Sequence, residues 1–367
     1  TAEHGDALGA ANGSRGAWGM QVRKLDFDAE GEEAFLPPSV TRNSGLFLFQ
    51  EREFGALTLE AGARYEYQTV LDYSADSLSG SLGAVWAARE DLNFSLQMAS
   101  TERHPTATEL YADGPHLAVQ RYEIGDDSLG TETGRSVDLG LRWSTSEASA
   151  SLNLFLTDYN RYIYAKPSAI PEELDTEGLP LIRYVAGDAR FTGVEVEWSR
   201  PQWLQTGVGA LGLRVFGDLV RAEDAAGEPL PFIPPHRLGA ELSLDSRRMR
   251  IGLEAIWHDD QTRVADDERS TAGYTMVNVD LSLRPTLAGR EVLLFVRGSN
   301  LLDEEARRHT SALKDYAPLA GRAVELDAVE VGAEQVEGVG AVVDPAGRLI
   351  DAFDGADLVL AVGQLAN

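Results

Sequence analysis

No cysteine occurs in the 367 residues, which removes disulfides and thiolate metal sites from consideration. No apolar run reaches the roughly 18 residues that a membrane-crossing helix needs. Positive charge is scarce: 32 Lys and Arg stand against 59 Asp and Glu, a formal net charge of −27. So acidic a surface repels phosphate backbones and argues against nucleic acid as a partner; cations, basic partners or a salty medium suit it better. The GxSxG, HExxH, P-loop and dinucleotide-binding fingerprints are missing. With six histidines among so many carboxylates, chance acid–imidazole pairs are ordinary, and no enzyme chemistry is expected. No leader segment is visible, and Thr1 in place of Met reads as a processed or cropped start.

What the chain does have is alternation. In LTLEAGARYEY, Leu57, Leu59, Ala61, Ala63, Tyr65 and Tyr67 share one face, and Thr58, Glu60, Gly62, Arg64 and Glu66 the other. SVDLGLRW sets Val137, Leu139, Leu141 and Trp143 against Ser136, Asp138, Gly140 and Arg142. TMVNVDLSL repeats the pattern with Val277, Val279, Leu281 and Leu283. Side chains of a strand point alternately to its two faces, so each segment has one apolar and one polar face. About fourteen such strands are expected, near 14–25, 40–53, 55–69, 77–88, 91–101, 134–145, 147–159, 182–198, 208–222, 236–246, 248–258, 273–285, 289–299 and 318–330.

The connections carry the stronger signal. Long ones (26–39, 70–76, 102–133, 160–181, 223–235, 259–272, 300–317) alternate without exception with short ones (54, 89–90, 146, 199–207, 247, 286–288). A soluble sandwich has no reason to keep such a rule. An outer-membrane barrel does, with short periplasmic turns, long external loops, apolar residues toward lipid and polar ones toward the lumen. Closure also satisfies every backbone group inside hydrocarbon. If the long loops are external, Trp86, Trp143 and Trp198 fall near periplasmic strand ends, and Tyr65, Tyr67, Trp257 and Tyr274 near external ends. These are the two aromatic girdles of a membrane barrel. The expected fold is therefore an all-β transmembrane antiparallel β-barrel.

Four stretches add a resemblance. NLLDEEARRHTSALKDYAPLAGR (300–322) resembles the C-terminal signature of TonB-dependent outer-membrane receptors. Asn300, Leu301, Leu302 and Asp303 match the element that closes a late strand. Gly321 and Arg322 match the opening of the last strand, with Ala320 in place of the usual Pro. ERHPTATELYADGPHLAVQRYEIGDDSLGTETG (102–134) is similar to a segment of a subgroup that includes zinc-uptake receptors. GDARFTGVEVEW (187–198) and PLPFIPPHRLG (229–239) resemble further strands of the family.

The resemblance runs from about residue 14 to 322 and implies about the last fourteen strands of a 22-stranded barrel. The family's plug and energy-coupling box have no counterpart, so the expectation is a fragment or one half of a split gene. Residues 1–322 would be a partial barrel. Residues 323–367 would be a last strand followed by an atypical acidic tail, in which Arg348 is the one basic residue. That tail is either a frameshift product or a genuine periplasmic extension. The family normally ends on a terminal aromatic that the barrel-assembly machinery recognises. Nothing at the first and fourteenth strands is shaped to pair with the other, so an open sheet is expected.

The implied function is uptake of a scarce nutrient across the outer membrane of a Gram-negative bacterium. Energy would come from the TonB–ExbB–ExbD complex through a plug, and outer-membrane lipids would surround the barrel. The cargo would be a metal ion, zinc first, or a chelate such as a siderophore or haem. A passive porin and a soluble β-rich binding protein remain as alternatives. No resident cofactor is expected. Candidate metal ligands lie in the long loops: His104, Asp113, His116, Glu123, Asp126 and Asp127, then His258, Asp259 and Asp260, and His309. Imidazole with carboxylate is zinc chemistry, but three or four groups would have to converge across loops, because no local spacing fixes them. Glu109 and Tyr111 are explained by a short helix in TATELYA. Arg64 and Arg322 read as lumenal partners of carboxylates, and Gly193 and Gly298 as sheet or bend positions.

Overall fold

A computed structural model describes residues 14–31, 34–287, 290–330, 338–343 and 349–354. In chain order the strands are β1 (Ser14–Phe27), β2 (Ser39–Phe54), β3 (Leu57–Val70), β4 (Tyr73–Arg89) and β5 (Leu92–Arg103). An outer loop follows, holding helix α1 (Ala107–Tyr111) and the short strands β6 (Asp113–His116) and β7 (Arg121–Ile124). Then come β8 (Glu132–Ser144), β9 (Ser149–Ser168), β10 (Leu181–Gln205), β11 (Ala210–Asp224), β12 (Arg237–Asp245), β13 (Met249–His258) and β14 (Tyr274–Leu283). The series ends with β15 (Thr286–Leu287), β16 (Arg290–Ser299), β17 (Ala323–Glu330), β18 (Gly338–Val343) and β19 (Leu349–Asp354).

Every expected strand is present. They pair antiparallel in chain order, with β5 running on to β8 past the loop and β14 on to β16. β18 and β19 extend the sheet from β17, where the sequence led us to expect only an acidic tail; residues 355–367 lie outside the described part. Among the described residues β1 pairs only with β2 and β19 only with β18, and the sheet is not closed.

The strict alternation of long and short connections has one exception. β3 and β4 zip together up to Val70 opposite Tyr73, leaving a two-residue turn at 71–72. The expected strand began at 77 because Ser74, Ala75 and Asp76 carry no apolar signal, and the ladder here is held by backbone pairing. The tight tip serves a purpose. Val70 is fully buried against Leu110, Leu129 and Ile163 and so anchors the 104–131 loop. The other boundaries shift at strand ends. β9 and β10, at 20 and 25 residues, exceed the roughly 9–11 needed to cross a bilayer and project outward, shortening their connection to 169–180. The last expected strand starts at Ala323 rather than 318.

Register places the apolar positions of neighbouring strands directly opposite one another. Leu46 faces Tyr65, Tyr65 faces Leu78, Leu82 faces Met98, Met98 faces Val137, and Val137 faces Leu156. The band continues through Leu242 opposite Leu253, Leu253 opposite Val279, and Leu281 opposite Val296. This face is uncovered: Leu82 is 66% exposed and Leu78 65%. Trp86, Tyr65, Tyr67 and Trp257 stand exposed at its borders. The opposite face carries ion pairs between facing residues, Asp218–Arg237 and Asp280–Arg297. Exposed pairs of this kind contribute little stability each. The described residues form two small apolar clusters, both among the outer loops and outer strand ends. One is built on Val70 and Leu110, the other on Ala189, Ala222 and Leu230 under Tyr159, Tyr162 and Phe191.

Candidate functional site

The polar faces of β1, β2 and β3 converge toward the outer end of the wall. Arg64, Glu66 and Gln68 of β3 stand opposite Phe47, Gly45 and Asn43 of β2, and Gly45 and Asn43 stand opposite Gln21 and Arg23 of β1. Gly45 leaves room for the Arg64 guanidinium, which a Cβ at this position would meet at 2.8 Å and push aside. That guanidinium donates from Nε to Glu66 at 2.9 Å and from Nη2 to Gln21 at 3.2 Å. Asn43 donates to Glu66 at 3.0 Å and to Gln68 at 2.8 Å. Gln68 in turn donates to the Pro105 carbonyl at 2.8 Å, tying the wall to the loop above it.

That loop is built by local rules. Thr106 caps α1, accepting from the Glu109 amide at 3.2 Å, while Glu109 accepts from the Thr106 amide at 2.7 Å, a reciprocal capping box. The same Glu109 shares Arg103 with Glu132: Arg103 donates to Glu109 at 2.9 and 3.1 Å and to Glu132 at 2.9 and 3.0 Å. Glu132 also accepts the Ile163 amide at 2.8 Å. Replacing Thr106 by Ala should cost this segment about 1 kcal/mol. Hydrogen exchange at amides 106–112 would report it, and unaltered protection would contradict the capping role.

Under this loop lies a cavity of about 670 Å³, lined by Arg23, Arg64, Glu66, His104, His116 and the apolar Phe27, Phe35 and Leu36. His104 is 6% exposed. Its Nδ1 lies 3.1 Å from the Tyr73 hydroxyl and 3.3 Å from that of Thr131, and its Nε2 has no hydrogen-bond partner among the described residues. Burial pushes the His104 pKa below the usual imidazole range, against the opposing pull of Glu66, so the ring is neutral at pH 7. His116 stacks on Phe35 at 4.3 Å, with its Nδ1 3.0 Å from the buried Glu123. Tyr184 donates to the other Glu123 oxygen at 3.0 Å.

The sequence-derived ligand candidates therefore separate. Only His104 and His116, with Glu123 behind the latter, share the lumenal cavity. Asp113 accepts from the Tyr122 hydroxyl at 3.2 Å and, with Asp126 and Asp127, lines a different outer cleft. His258 stacks on Tyr274 at 4.5 Å. Asp259 lies 3.9 Å from His236, and its Oδ1 accepts the Asp260 amide at 2.9 Å. Both ring nitrogens of His309 are engaged: Nδ1 lies 2.9 Å from Thr271 Oγ1, and Nε2 lies 3.0 Å from Glu268 and 3.3 Å from Lys314 Nζ. Among the described residues no three His, Asp or Glu side chains are close enough to hold a metal ion. Loop chemistry alone missed the wall residues Gln21, Arg23, Asn43 and Gln68. Their signal lay in the polar half of the alternation. As expected, Arg64 pairs with Glu66; among the described residues Arg322 meets Asp303 only through its backbone amide, 2.9 Å from Oδ1, rather than through its side chain.

An uncovered apolar band, a charged opposite face and folded outer loops over a ligand-sized cavity define an outer-membrane β-barrel of the receptor kind. A soluble protein would have buried that band. Residues 5–301 match the family described as "TonB dependent receptor-like, beta-barrel", and the chain belongs to it. This is a receptor and transporter family of the Gram-negative outer membrane, not an enzyme class.

Solved structures agree on the fold. The copper transporter OprC superposes with a TM-score of 0.69 at 16% identity, over 85% of this chain and 53% of that one. The FrpB iron transporter of Neisseria meningitidis (F3-3 variant) gives 0.64 at 16% identity, over 87% and 53%. The ferric enterobactin receptor PfeA of Pseudomonas aeruginosa (Q482A mutant, with enterobactin) gives 0.62 at 17% identity, over 86% and 51%. The chain thus spans about half the length of these transporters.

Proposed function

We propose that this chain is the ligand-facing barrel wall of a receptor that imports a metal chelate. The carrying observation is the lumenal cavity. Its volume of about 670 Å³ falls in the range of small-molecule sites, roughly 300–1,000 Å³, and far exceeds a bare ion. Its lining sets cationic Arg23, beside the Arg64–Glu66 ion pair, against apolar Phe27, Phe35 and Leu36, which suits an anionic complex with an organic periphery. Structural relatives named for copper, iron and ferric enterobactin support metal cargo in general terms. Energy would reach the site from the TonB–ExbB–ExbD complex through a plug.

A second reading, free zinc, is supported by one observation: the cavity brings together His104, whose Nε2 is unpartnered, and His116. Calorimetry on the receptor in lipid nanodiscs separates the two. A ferric tricatecholate, haemin and zinc chloride serve as probes. Chelate binding that weakens at least tenfold in Arg23→Gln supports the first reading. Zinc binding that disappears in His104→Ala and His116→Ala, with neither chelate bound, replaces it with the second. Absence of all three heats removes both.

A further inference from the structure

A second cavity, of about 350 Å³, lies on the outer side, where the 104–131 loop, the β9–β10 hairpin and the loops 225–236, 259–273 and 300–322 meet. Three features single it out. First, three residues on its wall hold left-handed backbones without being glycine: Gln120 at φ 54°, Phe232 at φ 62° and Asp267 at φ 61°. For a residue as bulky as Phe this conformation is rare, and it persists only where the surroundings enforce it. The Phe232 amide is held by Glu268 Oε1 at 3.0 Å, and the Phe232 ring lies beneath both the Arg121 guanidinium at 4.6 Å and the Lys314 ammonium at 5.1 Å.

Second, these two cations are not equally compensated. Lys314 has Glu268 at 2.6 Å. Arg121 has no carboxylate within 4.0 Å among the described residues, and its one hydrogen bond there is a long 3.4 Å contact to the Ala312 carbonyl. The carboxylates whose charge acts on it are Glu123, already taken up by His116 and Tyr184, and the exposed Asp315. A half-buried guanidinium short of a counterion stands out in a chain of net charge −27. Third, the cavity's carboxylates Asp267 and Asp315 are exposed, while Ile170, Pro180 and Phe232 give it an apolar wall.

We propose that this outer cavity binds a small organic monoanion with a compact apolar body, its carboxylate on Arg121 and its body on Ile170, Pro180 and Phe232. The planar guanidinium fork matches a carboxylate, and the apolar wall shields the pair from water. The site is separate from the lumenal cavity and does not rest on the chelate reading.

The test uses 4-fluorobenzoate as probe and neutral 4-fluorobenzamide as control, followed by fluorine NMR line broadening on the receptor in nanodiscs. The anion should bind at least tenfold more tightly than the amide. Arg121→Gln should remove that preference, and Arg121→Lys should keep part of it. Ala169→Trp, which narrows the cavity from the β9–β10 side, should weaken the anion at least fivefold. Equal affinity for the two probes, no binding at all, or a preference that survives Arg121→Gln overturns the proposal. If Arg121→Gln does not fold, undiminished binding in Ala169→Trp overturns it instead.

Discussion

Leu96→Arg should destabilise the barrel by about 2–4 kcal/mol, while Gln97→Arg, one residue along, should change it by about 0.5 kcal/mol or less. Both sit near the middle of β5. Leu96 lies opposite Leu139 and Ala84 in the apolar band; Gln97 lies opposite Asp138 and Gly83 on the polar face. If the band meets acyl chains, arginine at position 96 must leave water near the bilayer midplane. At position 97 it gains a carboxylate neighbour in a wet lumen. Denaturant unfolding from liposomes measures the contrast. Equal losses, or the larger loss at 97, would mean that the apolar face is not the lipid face. The same pair of substitutions in a soluble sandwich would give a core defect rescued by no lipid.

The second large effect concerns the outer loops. Glu268, His309 and Lys314 form a buried group, with side chains 2%, 1% and 3% exposed, that joins loop 259–273 to loop 300–322. Lys314→Met leaves the Glu268 carboxylate without its ammonium partner, and breaking a buried pair in this way costs about 3–5 kcal/mol. Loss of hydrogen-exchange protection in both loops, with the strands unaffected, is the expected reading. Protection unchanged in both would remove the ion pair from the account of loop docking.

The same group sets a pH window. Burial alone would raise the Glu268 carboxyl; the hydrogen bonds from His309, Lys314 and the Phe232 amide, with the Lys314 charge, outweigh it and hold the pKa down to about 2 from an ordinary 4.5. A folded-state pKa lowered in this way gives stability that is complete above about pH 4.5 and fades as pH falls toward 2. Loop protection should therefore hold at pH 5 and decay below 4. Release already at pH 6 would assign the switch to a different group.

How far the sequence reached depended on what kind of signal each feature left. Strands such as β3 and β8 were legible because half their side chains meet hydrocarbon and half meet water, so the chemistry alternates with the backbone. The β3–β4 tip was not: Ser74–Asp76 pair through their backbones, which leave no mark on side-chain type. α1 was legible from TATELYA, because a capping box is a local rule. The loop ligands were a different matter. His309 reads as a metal donor in sequence and proves to be locked between Thr271, Glu268 and Lys314, because which groups meet is decided by the docking of two loops whose contacting residues stand 38 and 46 positions apart.

From the sequence alone came the class of fold and the side of each strand that faces lipid, since a membrane wall imposes a two-residue period on every crossing; the family came from the resemblance carried by 102–134, 187–198, 229–239 and 300–322. The two cavities, the neutral buried His104 and the uncompensated Arg121 were decided only by the tertiary structure. Each depends on several segments distant in the chain arriving at one place, and neither periodicity nor spacing encodes that arrival.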